Sequence, residues 1–213
     1  MAEYAIAQVA GISGRVLRNV TSPETIQPVS MKRRRTDNAG PEELWEARRR
    51  LHAGEIEFPD RPLVIVDIDG TLSNPANRLH FIQGRGRRKD WDSFFAACGQ
   101  DPPVEAVVRW TRALTESYTV VLVSGRPISK AGTKTLGWLA FYRVPHEYLF
   151  MRRGADRRPD TEIKQEILDD ILRVVPKERI AFAIDDRLSV IEQVWRRNNI
   201  RVFPVRANKE DTP

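Results

Sequence analysis

The fold is decided by residues 63–71, which read LVIVDIDGT. The apolar run at 63–66 is rich in Val and Ile and predicts a strand buried on both faces, as in a parallel sheet covered by helices. The strand exits into Asp67 and Asp69, and Gly70 then permits a sharp turn. Carboxylates at such a strand end indicate a functional site, although a turn and helix-cap pair is the structural alternative.

Apolar strands and amphipathic helices alternate along most of the remaining chain. Further strands are predicted over residues 119–123, 148–151, 180–184 and 201–205. Helices are predicted over residues 103–117, 133–141, 163–174 and 190–197. This alternation is typical of a doubly wound, Rossmann-like α/β domain with a parallel sheet.

The residues before the first strand differ from this pattern. Residues 1–40 are predicted to form a disordered basic tail, whose Lys32–Arg35 run is either a solvated charge cluster or a contact for an acidic partner. Met31 is an alternative start. Residues 41–58 are predicted to be a short helix and linker, and residues 59–213 the α/β domain.

Composition excludes several classes of protein. The chain has 213 residues, 30% of them charged, and a formal net charge of +6. Its single cysteine, Cys98, cannot form an internal disulfide or a cysteine-ligated zinc site. No apolar run approaches the roughly 18 residues of a membrane span, and the first residues lack a signal-peptide pattern. We therefore expect a cytoplasmic protein without membrane association.

Two further predicted strands also end in polar clusters. The residues that follow them are Ser124, Gly125 and Arg126, and Asp185 and Asp186. Because parallel strands present their carboxyl ends at one edge, these groups are expected to converge with the carboxylates after the first strand. Converging carboxylates repel one another unless a cation lies among them, and oxygen ligands favour Mg²⁺. An ordinary turn at 124–125 and a helix cap at 185–186 are the structural alternatives.

These motifs resemble, in order, those of the haloacid dehalogenase (HAD) superfamily of phosphatases. They are the DIDGT stretch at 67–71, Ser124 after a strand, Lys164 early in a helix, and the pair Asp185-Asp186. The resemblance covers residues 63–205. It implies an HAD-type fold and Mg²⁺-dependent hydrolysis of phosphomonoesters through an aspartyl-phosphate.

A narrower resemblance is to the 3′-phosphatase domain of phage polynucleotide kinases and to related stand-alone phage and bacterial proteins. It is carried by SGR at 124–126, GRG at 84–86 followed by DWD at 90–92, Asp160 four residues before Lys164, and AIDDR at 183–187 followed by VWRR at 194–197. This similarity implies removal of a 3′-phosphate from nucleic acid or a nucleotide. The chain lacks the GxxxxGK[ST] loop of the kinase domains, so no 5′-kinase activity is expected.

The resemblance implies a role for each site residue. Asp67 is the expected nucleophile and Asp69 the acid and base, while Ser124 and Lys164 bind phosphate oxygens. The remaining substrate-site residues implied are Thr71, Arg85, Gly125, Arg126 and Asp160, of which Asp160 orients Lys164 or Arg126. Mg²⁺ is expected on Asp67, Asp69, Asp185 and Asp186, and which of the last two binds it directly stays open. Lys164 as a surface lysine, Arg85 as a loop arginine and Asp160 as a helix cap are the structural alternatives.

A short insert at about residues 73–101 is expected to cap the site. Its brevity leaves the crevice open, and its basic stretch Arg78–Lys89 favours a polyanion. Trp91 and its aromatic neighbours are interpreted as packing residues, with base stacking as the alternative. The expected partner is a phosphorylated nucleic acid or nucleotide, with no obligate protein partner evident. A small-metabolite or mononucleotide phosphatase and an inactive binding protein are the rival functions.

Overall fold

The computed structural model describes residues 41–84, 88–154 and 156–206. The strands are β1 (Leu63–Val66), β2 (Thr119–Pro127), β3 (Tyr148–Arg152), β4 (Ile180–Asp185) and β5 (Val202–Pro204). They pair in parallel in the order β3-β2-β1-β4-β5. The expected tail at 1–40 and Arg85 lie outside the described residues.

Helices connect the strands. They are α1 (Pro41–His52), α2 (Trp91–Ala96), α3 (Glu105–Leu114), α4 (Ile128–Phe141), α5 (Asp160–Leu172) and α6 (Leu188–Val190), which continues as a π-helical turn (Ile191–Arg196). Short 3-10 helices cover Ala76–Phe81, Cys98–Gln100 and Lys177–Arg179. Among the described residues, no helix is long and apolar enough to cross a membrane.

The sheet buries both of its faces. In β1, Val64 and Val66 join an apolar cluster that includes residues of α3 and α4. Leu63 and Ile65 point to the other face, where their cluster includes residues of α5 and the last helix. All four side chains of β1 are at most 1% exposed. The predicted doubly wound α/β fold is therefore confirmed.

The boundaries differ from the predictions around β2. The strand continues past residue 123 to Pro127, and Pro127 pairs with Arg152 after a shift of register. Consequently α4 begins at Ile128 rather than at 133. An apolar pattern does not predict that the strand continues through residues 124–126, because these residues include polar ones. The chain there stays extended and contributes side chains to the site rather than to the core.

Helix α1 covers the edge of the sheet. It packs against β3, the edge strand beside β2. Leu44 and Leu51 are buried in the clusters on the two faces. Between them, buried Arg48 donates from Nη1 to Asp170 Oδ2 (2.5 Å) and from Nη2 to Glu166 Oε1 (2.6 Å), both on α5. The helix is thus anchored by apolar contacts and by a buried ion pair.

This anchoring predicts different effects for two neighbouring arginines. Arg48→Ala should lower the free energy of unfolding by about 3 kcal/mol, because it leaves the buried Asp170 carboxylate short of its main partner. Arg49→Ala should change it little, since the Arg49 pairs with Glu46 and Glu55 are exposed. Urea unfolding of both variants measures the difference, and equal losses would contradict the proposed anchoring.

Candidate active site

A buried lysine joins two strand ends at the carboxyl edge of the sheet. Lys164, from the first turns of α5, donates from Nζ to Asp67 Oδ1 (2.7 Å) and to Asp185 Oδ2 (2.8 Å). Its side chain is 1% exposed, so the alternative of a surface lysine is wrong. Burial opposes its charge, but Asp67 and Asp185 outweigh burial and raise the pKa of Lys164 well above its usual range.

Asp67 lies directly after β1, where its backbone N–H donates to Ile184 O in β4 (3.0 Å). Burial raises the pKa of its carboxyl well above the usual range, and the charges of Asp185 and Asp186 add to this effect. Lys164 works in the opposite direction. A carboxylate in this position stays ionised only with positive charge beside it.

Asp185 and Asp186 have different surroundings. Asp185 is fully buried; its Oδ2 accepts from Lys164 and from Trp195 Nε1 (3.0 Å), and its Oδ1 accepts from Arg187 N (3.0 Å). Asp186 is more accessible, and its Oδ1 is 3.4 Å from the donor Thr71 Oγ1. Asp185 thus accepts from three protein donors in a fully buried position, whereas the carboxylate of Asp186 is more accessible to a ligand.

Asp69 is held by two buried arginines. Its Oδ1 accepts from Arg78 Nη2 (2.5 Å) and from Arg126 Nη2 (2.5 Å) and Nε (2.9 Å). Buried Asp101 binds the same arginines, at 2.7 Å from Arg78 Nη2 and 3.2 Å from Arg126 Nη2. Burial raises the pKa of Asp69, but Arg126 and Arg78 outweigh it and lower that pKa to about 2.

Arg126 is placed differently from the expected substrate contact. Its side chain is 0% exposed, and its guanidinium also donates to Thr135 and Ser73. This geometry fits a residue that positions Asp69, not one that reaches a phosphate. Arg78 and Asp101 were missed as site residues, because the pattern of the insert shows its charge but not which of its arginines is buried.

Ser124, Gly125 and Asp160 meet beside Lys164. Ser124 is 1% exposed, lines the cleft, and accepts at Oγ from Arg126 N (3.2 Å). A Cβ on Gly125 would lie 1.8 Å from Asp160 Oδ1, so only glycine fits there. Asp160 Oδ2 lies 3.7 Å from Lys164 Nζ, in keeping with an orienting role. Asp160 is also the first residue of α5, so its place at a helix start is compatible with that role.

The acidic cluster fits a hard divalent cation. Carboxylate oxygens of Asp67, Asp185 and Asp186 lie within 4.8 Å of one another. Burial and the charge of Asp185 raise the pKa of Asp186 to about 6, so the site favours added positive charge. An all-oxygen donor set suits Mg²⁺. Gly70 lets the Asp186 carboxylate approach the turn after β1, because a Cβ at residue 70 would lie 2.1 Å from Asp186 Oδ2.

The acidic groups open into a wide cleft of about 2430 Å³. Its rim carries basic side chains from several elements: Arg88, Lys89, Arg109, Lys130, Arg152, Arg157, Arg158, Arg187 and Arg206. Pockets for small ligands usually enclose roughly 300–1,000 Å³. The cleft is thus larger than a small phosphate ester requires.

The close approach at Gly70 predicts an effect on cation binding. Gly70→Ala should weaken Mg²⁺ binding, because the added Cβ displaces the Asp186 carboxylate and a positive φ of 88° strains alanine. Gly137→Ala on α4 is the matched control, since a Cβ there meets nothing within 4 Å. Calorimetric titration with Mg²⁺ measures both, and unaltered binding by Gly70→Ala would contradict the site.

The lowered pKa of Asp69 predicts a pH dependence of stability. A carboxylate whose pKa falls from 3.8 to about 2 on folding stabilises the fold above about pH 4 and loses this contribution as pH falls towards 2. Asp69→Asn should therefore show a shallower loss of unfolding free energy between about pH 4 and pH 2.5 than the wild type. Urea unfolding over this range measures it, and parallel curves would contradict the shift.

Comparison with known proteins gives one family match. Residues 61–209 match the family model of the polynucleotide kinase PNKP phosphatase domain. That range is more than half of the chain. No curated protein matches the chain significantly.

Solved structures show similar folds. One structure of the Pnkp1/Rnl/Hen1 complex contains a chain that is 26% identical, with a TM-score of 0.53, over 70% of this chain and 48% of that one. Another structure, of the Pnkp1/Rnl/Hen1 RNA repair complex, contains a chain that is 27% identical, with a TM-score of 0.54, over 72% of this chain and 45% of that one. This chain therefore spans about half the length of those relatives. A structure of the HAD-hydrolase YfnB from Bacillus subtilis bound to magnesium is 10% identical, with a TM-score of 0.48, over 71% of this chain and 92% of that one.

Proposed function

Since the chain belongs to the family of polynucleotide kinase phosphatase domains in the HAD superfamily, we propose that it removes a terminal 3′-phosphate from nucleic acid. The expected resemblance to this superfamily is confirmed by the match. The observation that carries the proposal is the buried Lys164 bridge, which favours the ionised form of Asp67 in the lining of a wide cleft. The rest of the reaction follows from the groups around that carboxylate.

Asp67 is the proposed nucleophile. One oxygen of its carboxylate forms a bond to phosphorus while the bond from phosphorus to the 3′-oxygen breaks, which leaves an aspartyl-phosphate. Lys164 and Ser124 line the cleft beside Asp67, where they bind the phosphate oxygens as charge develops on them. Gly125 has no side chain, so its backbone can lie close to the Asp160 carboxylate, and a phosphate can approach the same turn.

Asp69 is the proposed proton carrier. As a phosphate monoester monoanion enters the cleft, like-charge repulsion raises the pKa of Asp69, so that Asp69 takes up the proton of the substrate and gives it to the leaving 3′-oxygen. In the second step, Asp69 takes a proton from water, which attacks phosphorus and releases inorganic phosphate and free Asp67. The two buried arginines favour the ionised form and therefore this base role. Arg78 and Arg126 act as positioning residues.

Mg²⁺ is proposed to bind Asp67, the backbone carbonyl of Asp69, and Asp186. When bound, it would offset the negative charges of nucleophile and phosphate. Asp185 is assigned to the positioning of Lys164, because it is fully buried and accepts from Lys164, Trp195 and Arg187. Thr71 is assigned to hold Asp186 rather than to contact substrate.

The size of the cleft favours a polymer end over a small metabolite. A volume of about 2430 Å³ and a basic rim suit a strand with several phosphates. The Pnkp1 relatives come from an assembly described as an RNA repair complex, which supports a nucleic acid substrate. Those relatives also work beside other proteins, so the expectation of no obligate protein partner stays a prediction.

Turnover of matched substrates tests this function. In Mg²⁺, the protein should release phosphate faster from a 3′-phosphorylated oligonucleotide than from a 3′-mononucleotide. Asp67→Asn should lose activity by at least about a hundredfold, since it removes the nucleophile. The KM for the oligonucleotide should rise steeply with salt, whereas that for the mononucleotide should change little.

Each alternative has its own outcome in this assay. A preference for the mononucleotide, without dependence on salt, would establish a small-substrate phosphatase with the same chemistry. Absence of turnover for both substrates, with Mg²⁺ bound, would favour the inactive binding protein. Asp60→Asn serves as a charge-matched control, because Asp60 is fully exposed and does not line the cleft.

A further inference from the structure

Two tryptophans that line the cleft are unusually exposed. Trp45 on α1 is 39% exposed and Trp91 on α2 is 44% exposed. Of the other tryptophans, Trp138 and Trp195 are at most 2% exposed, and Trp110, at 37%, does not line the cleft. Large aromatic rings normally bury most of their surface, and exposed ones beside a cleft indicate a binding role. The chemistry proposed above uses neither ring.

Trp45 is held in place at the wall of the cleft. Helix α1 is anchored through Arg48, as described above. A Cβ on Gly154 would lie 3.2 Å from Trp45 Cη2 and 2.8 Å from Ser129 Oγ. The indole therefore lies against the backbone that follows β3 and beside the first turn of α4. Trp45 precedes residues 61–209, so the family match does not account for it.

Trp91 adjoins the same turn of α4 from the insert. It stacks on Phe95, with centroids 5.9 Å apart and an interplanar angle of 22°. Its neighbour Asp92 forms an ion pair with Lys130, the residue after Ser129. One face of the ring is thus supported by the insert. The expected packing role fits buried Phe94 and one side of Trp91, which also contacts Phe94, while 44% of Trp91 stays exposed.

A cation lies beside the Trp91 ring, and further cations line the cleft that both rings share. Lys89 Nζ lies 5.7 Å from the centroid of Trp91. Arg88, Lys130 and Arg157 line the same cleft. Aromatic faces interleaved with cations are the usual platform for single-stranded nucleic acid, because stacking needs unpaired bases and the cations follow the phosphates. A duplex hides all base faces except those of its terminal pairs, so one end cannot offer bases to two separate rings.

We propose that Trp45 and Trp91 stack with bases of a single strand whose terminal phosphate occupies the Asp67 site. This inference rests on the proposed function and names its substrate as an unpaired strand. Helix α1 then supplies part of the substrate site from outside the matched family region. The first turn of α4 separates the two stacking positions.

Paired substitutions at Trp45 and Trp91 test the stacking. Trp45→Leu and Trp91→Leu keep apolar bulk but lose the ring face, and each should raise the KM for a 3′-phosphorylated single strand about tenfold. Trp45→Phe should retain most of the affinity, which a role in bulk packing alone would not predict. Phe141→Leu is the control, because Phe141 is 78% exposed and does not line the cleft.

An abasic substrate separates stacking from other effects of the substitutions. With the terminal bases removed, wild type and Trp45→Leu should show the same KM. The ratio of kcat/KM for the intact strand to that for glycerol phosphate should fall about tenfold in Trp45→Leu. Equal KM values of the wild type and both Leu variants on the intact strand would overturn the inference.

Binding keeps this inference distinguishable from the proposed reaction. The anisotropy of a labelled single strand is measured with Asp67→Asn and with Asp67→Asn/Trp45→Leu. If wild type cleaves only glycerol phosphate but the double variant binds the strand about tenfold more weakly, the stacking stands and the proposed reaction fails. If the strand does not bind at all, the stacking inference fails as well.

Discussion

The bridge from Lys164 to Asp67 and Asp185 is the interaction on which the rest of the site depends. Three carboxylates converge at one strand edge, and their mutual repulsion in a buried setting would separate them without positive charge. Lys164 supplies one such charge from within the protein, at 2.7 and 2.8 Å. The remaining negative charge of the carboxylates suits the site to a divalent cation. A bound cation would in turn attract a phosphate.

The fold meets this constraint by dividing the work among its elements. Strands β1 and β4 bring the carboxylates together, because neighbouring parallel strands end at the same edge. Helix α5 aims Lys164 between them, and the π-helical turn holds Trp195 where its indole N–H reaches Asp185. Two buried arginines, Arg78 and Arg126, hold the Asp69 carboxylate and lower its pKa. Two carboxylates close in sequence thus have opposite pKa shifts and separate roles.

The fold class follows from local patterns in the sequence, as does the meeting of carboxylates at strand ends, whereas Lys164 was expected only through the family resemblance. Continuous apolar strands define a parallel sheet, and the carboxylates stand at their ends. Arg78 and Asp101 could not be found this way, since their pairing joins residues 23 positions apart inside an irregular insert. The resemblance places Arg126 at the substrate, but its guanidinium is fully buried and donates hydrogen bonds to Asp69. A helical pattern also does not predict that α1 packs against β3, because this contact depends on tertiary packing.

The central claim is that Asp67 is the nucleophile that Lys164 supports. The most direct measurement mixes the protein rapidly with Mg²⁺ and an oligonucleotide carrying a radiolabelled 3′-phosphate, followed by an acid quench and peptide mapping. Our account predicts an alkali-labile label on the peptide that contains Asp67, and neither label nor turnover with Asp67→Asn. Label on a different residue, or wild-type turnover by Asp67→Asn, would contradict it.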